Sequence, residues 1–229
     1  MFTRLADVGF GAFEKEYFAT ICVYKQDFIS MSFSFWRPVM LLIFLFNVFT
    51  GVLFATILPD DPPGVEDVIL WQADRKIDWS DFRAHRKPPG RMSAALSVCG
   101  IGFEGVEENR RLVSVKIAVK FYPEKSWKHP DHLTPEVLAH EQLHFDITEL
   151  MGRRFHEEIK ELNKKGKLNA RSLEKAYDKI SKQHAEMQQL YDKQTNHSLN
   201  ARLQEWWSAY VSSELEKTSE LSGYHDILL

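Results

Sequence analysis

The sequence predicts an α+β protein in which a small, mostly antiparallel sheet is followed by a helical part. Residues 112–122 alternate apolar and polar side chains with the two-residue period of a half-buried strand. After Thr134 the apolar side chains recur every three or four residues, which is the spacing of a helix. Because the strand patterns come first and the helix patterns follow, α+β is favoured over an alternating α/β arrangement.

The N-terminal quarter predicts a membrane anchor. Residues 39–58 contain no charge, and about 20 apolar residues are enough to cross a bilayer. Arg37 favours a cytoplasmic location for residues 1–38, so the chain beyond the linker at 59–66 lies in the periplasm or outside the cell. The alternative is a cleaved export signal read from a start at Met31, which makes the protein secreted.

The composition is that of a globular protein, and residues 67–229 have room for one domain of ordinary size. The chain has 229 residues, 44% of them hydrophobic, and a net charge of −3. Since there is no basic excess, we expect no nucleic-acid partner. Cys22 and Cys99 have no neighbouring cysteine at zinc-ligand spacing, which argues against a thiolate metal site.

The segment before the helices predicts short strands and a turn. The apolar run Val68–Trp71 and the longer segments 94–103 and 112–122 are strand-like, whereas residues 107–111 are turn-like. The last strand, which ends near Trp127, leads directly into the first helix. We expect the edge of that strand to align an extended substrate.

Three helices are predicted after the strands. Thr134 followed by proline is typical of an N-cap and first helical position, and the first helix should cover residues 135–163. Gly166 then interrupts the helical pattern. The second and third helices are predicted over residues 170–195 and 200–216.

The first predicted helix contains the motif His-Glu-x-x-His, formed by His140, Glu141 and His144. Since four residues make slightly more than one helical turn, both imidazoles project from one face and can bind a single Zn²⁺. Glu141 lies about 100° round the helix, where its carboxylate can act as general base toward a zinc-activated water. The two histidines continue an apolar row through Ile147 and Met151, and buried imidazoles need partners.

A catalytic zinc usually has three protein ligands and an open position for water, so a third ligand must come from outside the motif. If the first two helices form an antiparallel hairpin around Gly166, residues equidistant from the turn face each other. In this arrangement His140 and His144 lie opposite positions 192 and 188. The end of the second helix is therefore expected beside the metal.

Three residues in this region are candidates for the third ligand. We predict His197, because it follows the expected end of the second helix and its side chain is free to turn toward the metal. Asp192 is the next candidate, either as a ligand or as an acceptor for a ligand imidazole. His184 is a rival, although its position on a stripe with Ile180 and Met187 favours the core.

The segment 138–150 resembles a bacterial family of predicted secreted zinc-dependent proteases. The chain is similar to that family in a Trp-x-Asp-Phe element at 79–82, a Ser-Trp pair at 126–127 and Tyr-Asp-x-x-Thr-x-His at 191–197. The resemblance implies that the last histidine of this third element, His197, is a zinc ligand. The sequence departs from the family at Ser198, where glycine is expected.

These features predict a zincin-like zinc metallopeptidase that hydrolyses peptide bonds outside the cytoplasm, with Glu141 as general base. One alternative is a non-catalytic envelope protein in which zinc only clamps two helices. Glu141 disfavours this alternative, because a structural site has no need of a carboxylate beside its ligands. A second alternative is a zinc hydrolase that acts on a non-peptide bond, since the motif specifies the activated water and leaves the electrophile open.

Overall fold

The architecture is seen in a computed structural model, which describes residues 67–85, 94–108, 111–221 and 225–228. The segments predicted as cytoplasmic, membrane-spanning and linker, residues 1–66, lie outside the described residues. Among the helices that are described, none combines the length and the apolar character required to cross a bilayer. The described chain is α+β with antiparallel strand pairs, as predicted.

Six strands are found in the described ranges: β1 (Ile69–Leu70), β2 (Ala95–Leu96), β3 (Cys99–Glu108), β4 (Arg111–Phe121), β5 (Trp127–Lys128) and β6 (His225–Leu228). β4 is the centre of the main sheet. It pairs with β3 along one side and with β1 and β6 along the other, and every pair is antiparallel. β2 and β5 form a separate two-stranded sheet.

The alternation in β4 produces one buried face, which confirms the half-buried strand predicted there. Val115, Ile117 and Phe121 are fully buried, and the intervening Lys116 is exposed. Because successive side chains of a strand point to opposite faces, this pattern directs one face of the sheet into the core.

The segment 94–103, predicted as one strand, is divided into β2 and the start of β3. At the division, the backbone N–H of Val98 donates to Ser126 Oγ (2.9 Å), and its carbonyl accepts from the N–H of Tyr122 (2.9 Å). Both partners follow β4 in sequence, so the break depends on contacts that no local pattern of residues 94–103 reveals.

The turn predicted at 107–111 is shorter than expected, because the strands continue into it. Glu107 pairs with Leu112, and Glu108 pairs with Arg111. Opposite charges at cross-strand positions stabilise a ladder, which explains why this polar sequence remains extended.

The last strand before the helices ends near Trp127 and leads toward α1 as predicted, but it belongs to the small second sheet. β5 pairs with β2 rather than extending the main sheet, so its edge is not the edge of that sheet. β6 was not predicted, because its four residues pair with β4 more than one hundred positions earlier in the chain.

The three helices are α1 (Pro135–Lys164), α2 (Ala170–Thr195) and α3 (Ala201–Glu216), which confirms the predicted boundaries to within one residue. Thr134 is the N-cap of α1, and its side chain accepts from the N–H of Val137. Gly166 has a φ of 64°, a left-handed conformation that glycine adopts without steric cost, and the chain reverses there.

α1 lies between the main sheet and the other two helices. On one side, Phe145 and Phe155 pack against Phe121 and Phe103 of the sheet, with ring centroids 5.8 and 5.5 Å apart. On the other side, α1 shares a second apolar cluster with α2 and α3, composed of Leu143, Ile147, Tyr191, Trp207 and Val211. The motif histidines lie on this second side, facing α2 and α3.

Candidate metal centre

The hairpin formed by α1 and α2 brings the motif histidines against the positions expected from its symmetry. Asp192 Oδ1 lies 3.1 Å from His140 Nε2 and 3.0 Å from His144 Nε2. The two Nε2 atoms are 3.2 Å apart. Gln188 occupies the other reflected position, with its Oε1 atom 2.6 Å from His144 Nδ1.

These three converging atoms suit a divalent metal. Zinc–nitrogen and zinc–oxygen bonds of about 2.0–2.1 Å in a tetrahedron place the ligand atoms about 3.3–3.4 Å from one another. The observed separations of 3.0–3.2 Å are close to that value. The set of two imidazoles and one carboxylate is also one that zinc accepts.

The electrostatics of the pocket favour a cation. Burial lowers the pKa of His144, but the hydrogen bond and charge of Asp192 outweigh it, with help from Glu141 and Gln188, and raise this pKa to about 9. Burial raises the pKa of Asp192, but its hydrogen bonds to both imidazoles hold the pKa of the carboxyl well below its usual range. In the metal-free chain a proton therefore supplies the positive charge that a metal ion would bring.

Glu141 is buried beside these ligands, with 5% of its surface exposed. Among the described residues, its Oε2 atom has no hydrogen-bond partner. A buried carboxylate oxygen without a partner is costly, and such groups in native proteins commonly have a functional reason. Burial is the main reason why the pKa of Tyr191 is raised, and the nearby charge of Glu141 adds to it.

His197 lies at the edge of the site. Its Nδ1 atom is 3.6 Å from Asp192 Oδ1, and its side chain is 74% exposed. His140, Asp192 and His197 each offer one ligand atom, and these atoms all lie within 4.8 Å of one another, so the group could hold a metal ion. The assignment of His197 as the third ligand stays a prediction.

His184 lies in the core behind His144. Its Nε2 atom is 3.0 Å from Thr148 Oγ1 and 2.9 Å from Gln188 Nε2, and the residue is 3% exposed. Burial lowers the pKa of His184 to about 4, with a smaller contribution from the charge of His144. This position agrees with the apolar stripe on which the sequence places His184.

Two glutamines and a tyrosine complete the surroundings of the motif histidines. The ring of Tyr191 stacks on His140 with centroids 4.6 Å apart, and its hydroxyl donates to Gln204 Oε1 (2.8 Å). Gln204 Oε1 also lies 3.1 Å from His140 Nδ1. Neither Gln204 nor Gln188 is predicted from the sequence. Gln188 could have been found, because position 188 faces His144 in the predicted hairpin. Gln204 could not, because it lies on α3 and no sequence pattern specifies where α3 packs.

Two further polar residues near the motif, Gln142 and Asp146, connect α1 to residues that follow β1. Asp146 points away from the ligands, and its Oδ1 atom accepts from the indole N–H of Trp71 (2.8 Å). Gln142 Oε1 accepts from the backbone N–H of Ile77 (2.8 Å), while its amide donates to Asp146 (2.8 Å). These contacts hold residues 71–77, which follow β1, against the motif helix.

Comparison with known proteins places this site inside a matched family segment. Residues 114–198 match the family described as "Bacterial protein of unknown function (DUF922)". The match extends from β4 through α2 to the turn after it, so it includes the motif, Asp192 and His197. It agrees with the resemblance to a bacterial family, and the description names no activity. No curated protein and no solved structure matches the chain.

Proposed function

We propose that this protein is a zinc-dependent metallopeptidase. The observation that carries the proposal is the convergence of three donor atoms, from His140, His144 and Asp192, within 3.0–3.2 Å of one another. Beside them lies the buried carboxylate of Glu141, one oxygen of which has no partner within the part of the chain that the structure describes. A helix that presents two ligand imidazoles and an adjacent carboxylate has the parts that hydrolysis by activated water requires.

The residues of the site have distinct tasks in this proposal. His140 and His144 hold the metal, and Asp192 and His197 are the candidates for the remaining protein ligand. Zinc, when bound, supplies a Lewis acid and lowers the pKa of water. Glu141 accepts a proton from the attacking water and returns it to the leaving amine. Tyr191 packs against both imidazoles and limits their rotation.

The strand β2 supports a polypeptide substrate. Ala94 and Val98 accept backbone hydrogen bonds from the chain on the β5 side, so the intervening Ala95 and Ser97 direct their backbone groups to the opposite edge. In the described part of the chain, no strand pairs with that edge. Ser97 also contacts the motif helix, with its Oγ atom 3.4 Å from the carbonyl oxygen of Glu141.

An extended peptide can add to such an edge through main-chain hydrogen bonds, which brings one of its peptide bonds to the motif helix. This arrangement of helix, edge strand and ligands supports the proposal of a zincin-like fold. With residues 39–58 as an anchor or export signal, the domain acts in the periplasm or outside the cell, on peptides or proteins found there.

The experiment is the substitution Glu141→Gln in the full chain. We expect zinc content to be unchanged, because the side chain is not among the converging donors, and cleavage of an unfolded protein substrate to fall about 10²–10⁴-fold. The matched control is Glu161→Gln, which changes an exposed carboxylate on the same helix. Retained cleavage in Glu141→Gln would reject this mechanism.

A structural zinc clamp is the second candidate, because His197 could supply a fourth protein ligand and close the coordination shell. It predicts a wild-type chain that binds zinc and is strongly destabilised by chelator, but cleaves no peptide. Zinc-dependent cleavage by the wild type, lost in Glu141→Gln, distinguishes the metallopeptidase from the clamp.

A further inference from the structure

Each motif imidazole has one nitrogen directed at the metal locus and the other directed at a glutamine. Nε2 of both rings faces Asp192, at 3.1 and 3.0 Å. The outer nitrogen, Nδ1, lies 3.1 Å from Gln204 Oε1 in His140 and 2.6 Å from Gln188 Oε1 in His144. The two rings therefore have the same pair of environments, although their glutamines come from different helices.

The orientation of each glutamine amide is set by its other contacts. The Gln188 amide nitrogen donates to the backbone carbonyl of His144 (2.9 Å), which leaves its oxygen to face the imidazole. The Tyr191 hydroxyl has one proton and two oxygens within reach, Gln204 Oε1 at 2.8 Å and the His140 carbonyl at 3.2 Å. It donates to the nearer one, so an oxygen of Gln204 also faces the second ring. Since an amide oxygen can only accept, each imidazole must donate to it through Nδ1–H.

We infer that Gln188 and Gln204 are positioning residues that keep both motif imidazoles in the Nδ1–H tautomer. In the metal-free chain Nε2 also faces the Asp192 carboxylate, which accepts a hydrogen bond there. Once a metal displaces the Nε2 proton, the Nδ1–H tautomer gives each ring a free Nε2 lone pair. Both lone pairs then point to the place where Asp192 Oδ1 also lies. This inference rests on the proposed function, because it states how the protein prepares the two ligand nitrogens for the metal.

The choice of glutamine has an electrostatic consequence. Partners that orient ligand histidines are often carboxylates, which add negative charge and make the imidazole a stronger donor. Gln188 and Gln204 supply the same geometry without charge, so Asp192 is the one anionic side chain shown within hydrogen-bond reach of both rings. A metal held here keeps more of its positive charge, and therefore more of its ability to polarise water and a carbonyl group.

The side-chain amide of Gln188 is held in place by buried neighbours. It is 4% exposed, and its amide nitrogen lies 2.9 Å from His184 Nε2 and 3.3 Å from Thr148 Oγ1. This explains a buried histidine and threonine that take no part in the proposed reaction. Gln204 connects the site to α3, so all three helices contribute to the orientation of the ligands.

The first test is the position of the ring proton in the full chain loaded with zinc, where no proton on Nε2 is needed to face Asp192. Long-range ¹H–¹⁵N spectra report which nitrogen of each imidazole holds the proton. We expect the proton on Nδ1 of both His140 and His144. A proton on Nε2 of either ring would overturn the inference for that residue, whether or not the chain cleaves peptides.

The second test is zinc affinity measured by chelator competition. Gln188→Leu and Gln204→Leu remove the acceptors, and each should weaken zinc binding about 10–100-fold. Gln204→Glu keeps an acceptor oxygen for His140 and should bind zinc at least as tightly as the wild type. Gln189→Leu, an exposed neighbour on α2, is the matched control and should leave the affinity unchanged.

The outcomes separate this inference from the proposed peptidase activity. Leucine variants with wild-type zinc affinity, or a glutamate variant as weak as its leucine counterpart, would contradict a role for the acceptor oxygen. A chain that has Nδ1–H tautomers and loses zinc affinity in the leucine variants, but cleaves no peptide, would support this inference and reject the proposed function.

Discussion

At the scale of single residues, Asp192 and His197 compete for one position beside the motif histidines. Asp192 Oδ1 lies within 3.1 Å of both Nε2 atoms, whereas His197 approaches that same oxygen at 3.6 Å from the exposed side. The family resemblance favours His197, and the distances favour Asp192. Both can contribute if His197 binds the metal while Asp192 completes the set.

We expect Asp192→Asn to weaken zinc binding by on the order of 100-fold, because it removes the charge that both imidazoles face. His197→Gln should weaken zinc binding about tenfold, since this exposed side chain must also be ordered to bind. Chelator competition measures both. Asp178→Asn, an exposed carboxylate on α2, serves as control, and a larger loss for His197→Gln than for Asp192→Asn would favour His197 as the third ligand.

The turn that presents His197 has unusual backbone geometry. Asn196, His197 and Ser198 have φ values of 49°, 51° and 75°, three consecutive left-handed residues without a glycine. Each such residue costs about 1–2 kcal/mol relative to glycine, although asparagine tolerates this conformation better. The resemblance expects glycine at position 198, and the positive φ of Ser198 is the physical reason.

Ser198→Gly should therefore stabilise the protein by about 0.5–1 kcal/mol, the relief of strain exceeding the added freedom of the unfolded chain. Urea denaturation measures the change. Ser208→Gly, in the exposed interior of α3, is the control and should destabilise by about 1 kcal/mol. An unchanged or lower stability of Ser198→Gly would show that the turn is not strained.

At the scale of elements, the distance between α1 and the main sheet depends on one glycine. A Cβ atom at Gly152 would lie 2.6 Å from Val119 Cγ2 on β4, which is closer than packed carbon atoms approach. Val119 is itself buried at 4% exposure. Glycine at this helix position therefore allows the motif helix to approach the strand that forms the centre of the sheet.

Gly152→Ala should destabilise the protein by about 1–3 kcal/mol from overpacking, although alanine is the better helix former by about 1 kcal/mol. Adding Val119→Ala removes the clashing methyl groups. The destabilisation of the double variant should therefore be smaller than the sum of the destabilisations of the two single variants. Thermal or urea denaturation of all four chains gives the coupling. Simple additivity would contradict a contact between these two positions.

The helices were predictable because their signals are local. Thr134 before a proline, Gly166 after the last turn, and the three- and four-residue apolar spacing all act within a few positions of the chain. The strands were less predictable. β2 and β3 separate because of Ser126 and Tyr122, and β6 forms only where β4 offers it a partner.

At the scale of the whole molecule, stability should depend on pH through His184. Burial lowers its pKa to about 4 in the folded chain, from an ordinary value of 6.5. The folded protein therefore favours the neutral ring, whose Nε2 lies 2.9 Å from the amide nitrogen of Gln188. Its contribution is fully present above pH 6.5, and it is lost as the pH falls toward 4, because the unfolded chain binds a proton first.

Between pH 7 and pH 4 the free energy of unfolding of the metal-free wild type should fall, and protonation of His184 should account for roughly 3 kcal/mol of that fall. We expect His184→Gln to lack this contribution, so its stability should depend less on acid. Urea midpoints at several pH values measure this dependence. His132→Gln, which changes an exposed histidine before α1, should leave the curve as in the wild type. An equally steep acid dependence in His184→Gln would assign it to other groups.

The sequence by itself determined the helix boundaries, the α+β order and the placement of His140, Glu141 and His144 on one helix, since these depend on spacings within a few turns. The sequence also predicted that position 192 lies at the site, because residues equidistant from the turn of a helical hairpin face each other. Only the tertiary structure decided that Gln204 reaches His140 and that Ser97, directly after β2, reaches the carbonyl of Glu141. Those contacts join residues more than forty positions apart, and their formation depends on the packing of whole elements.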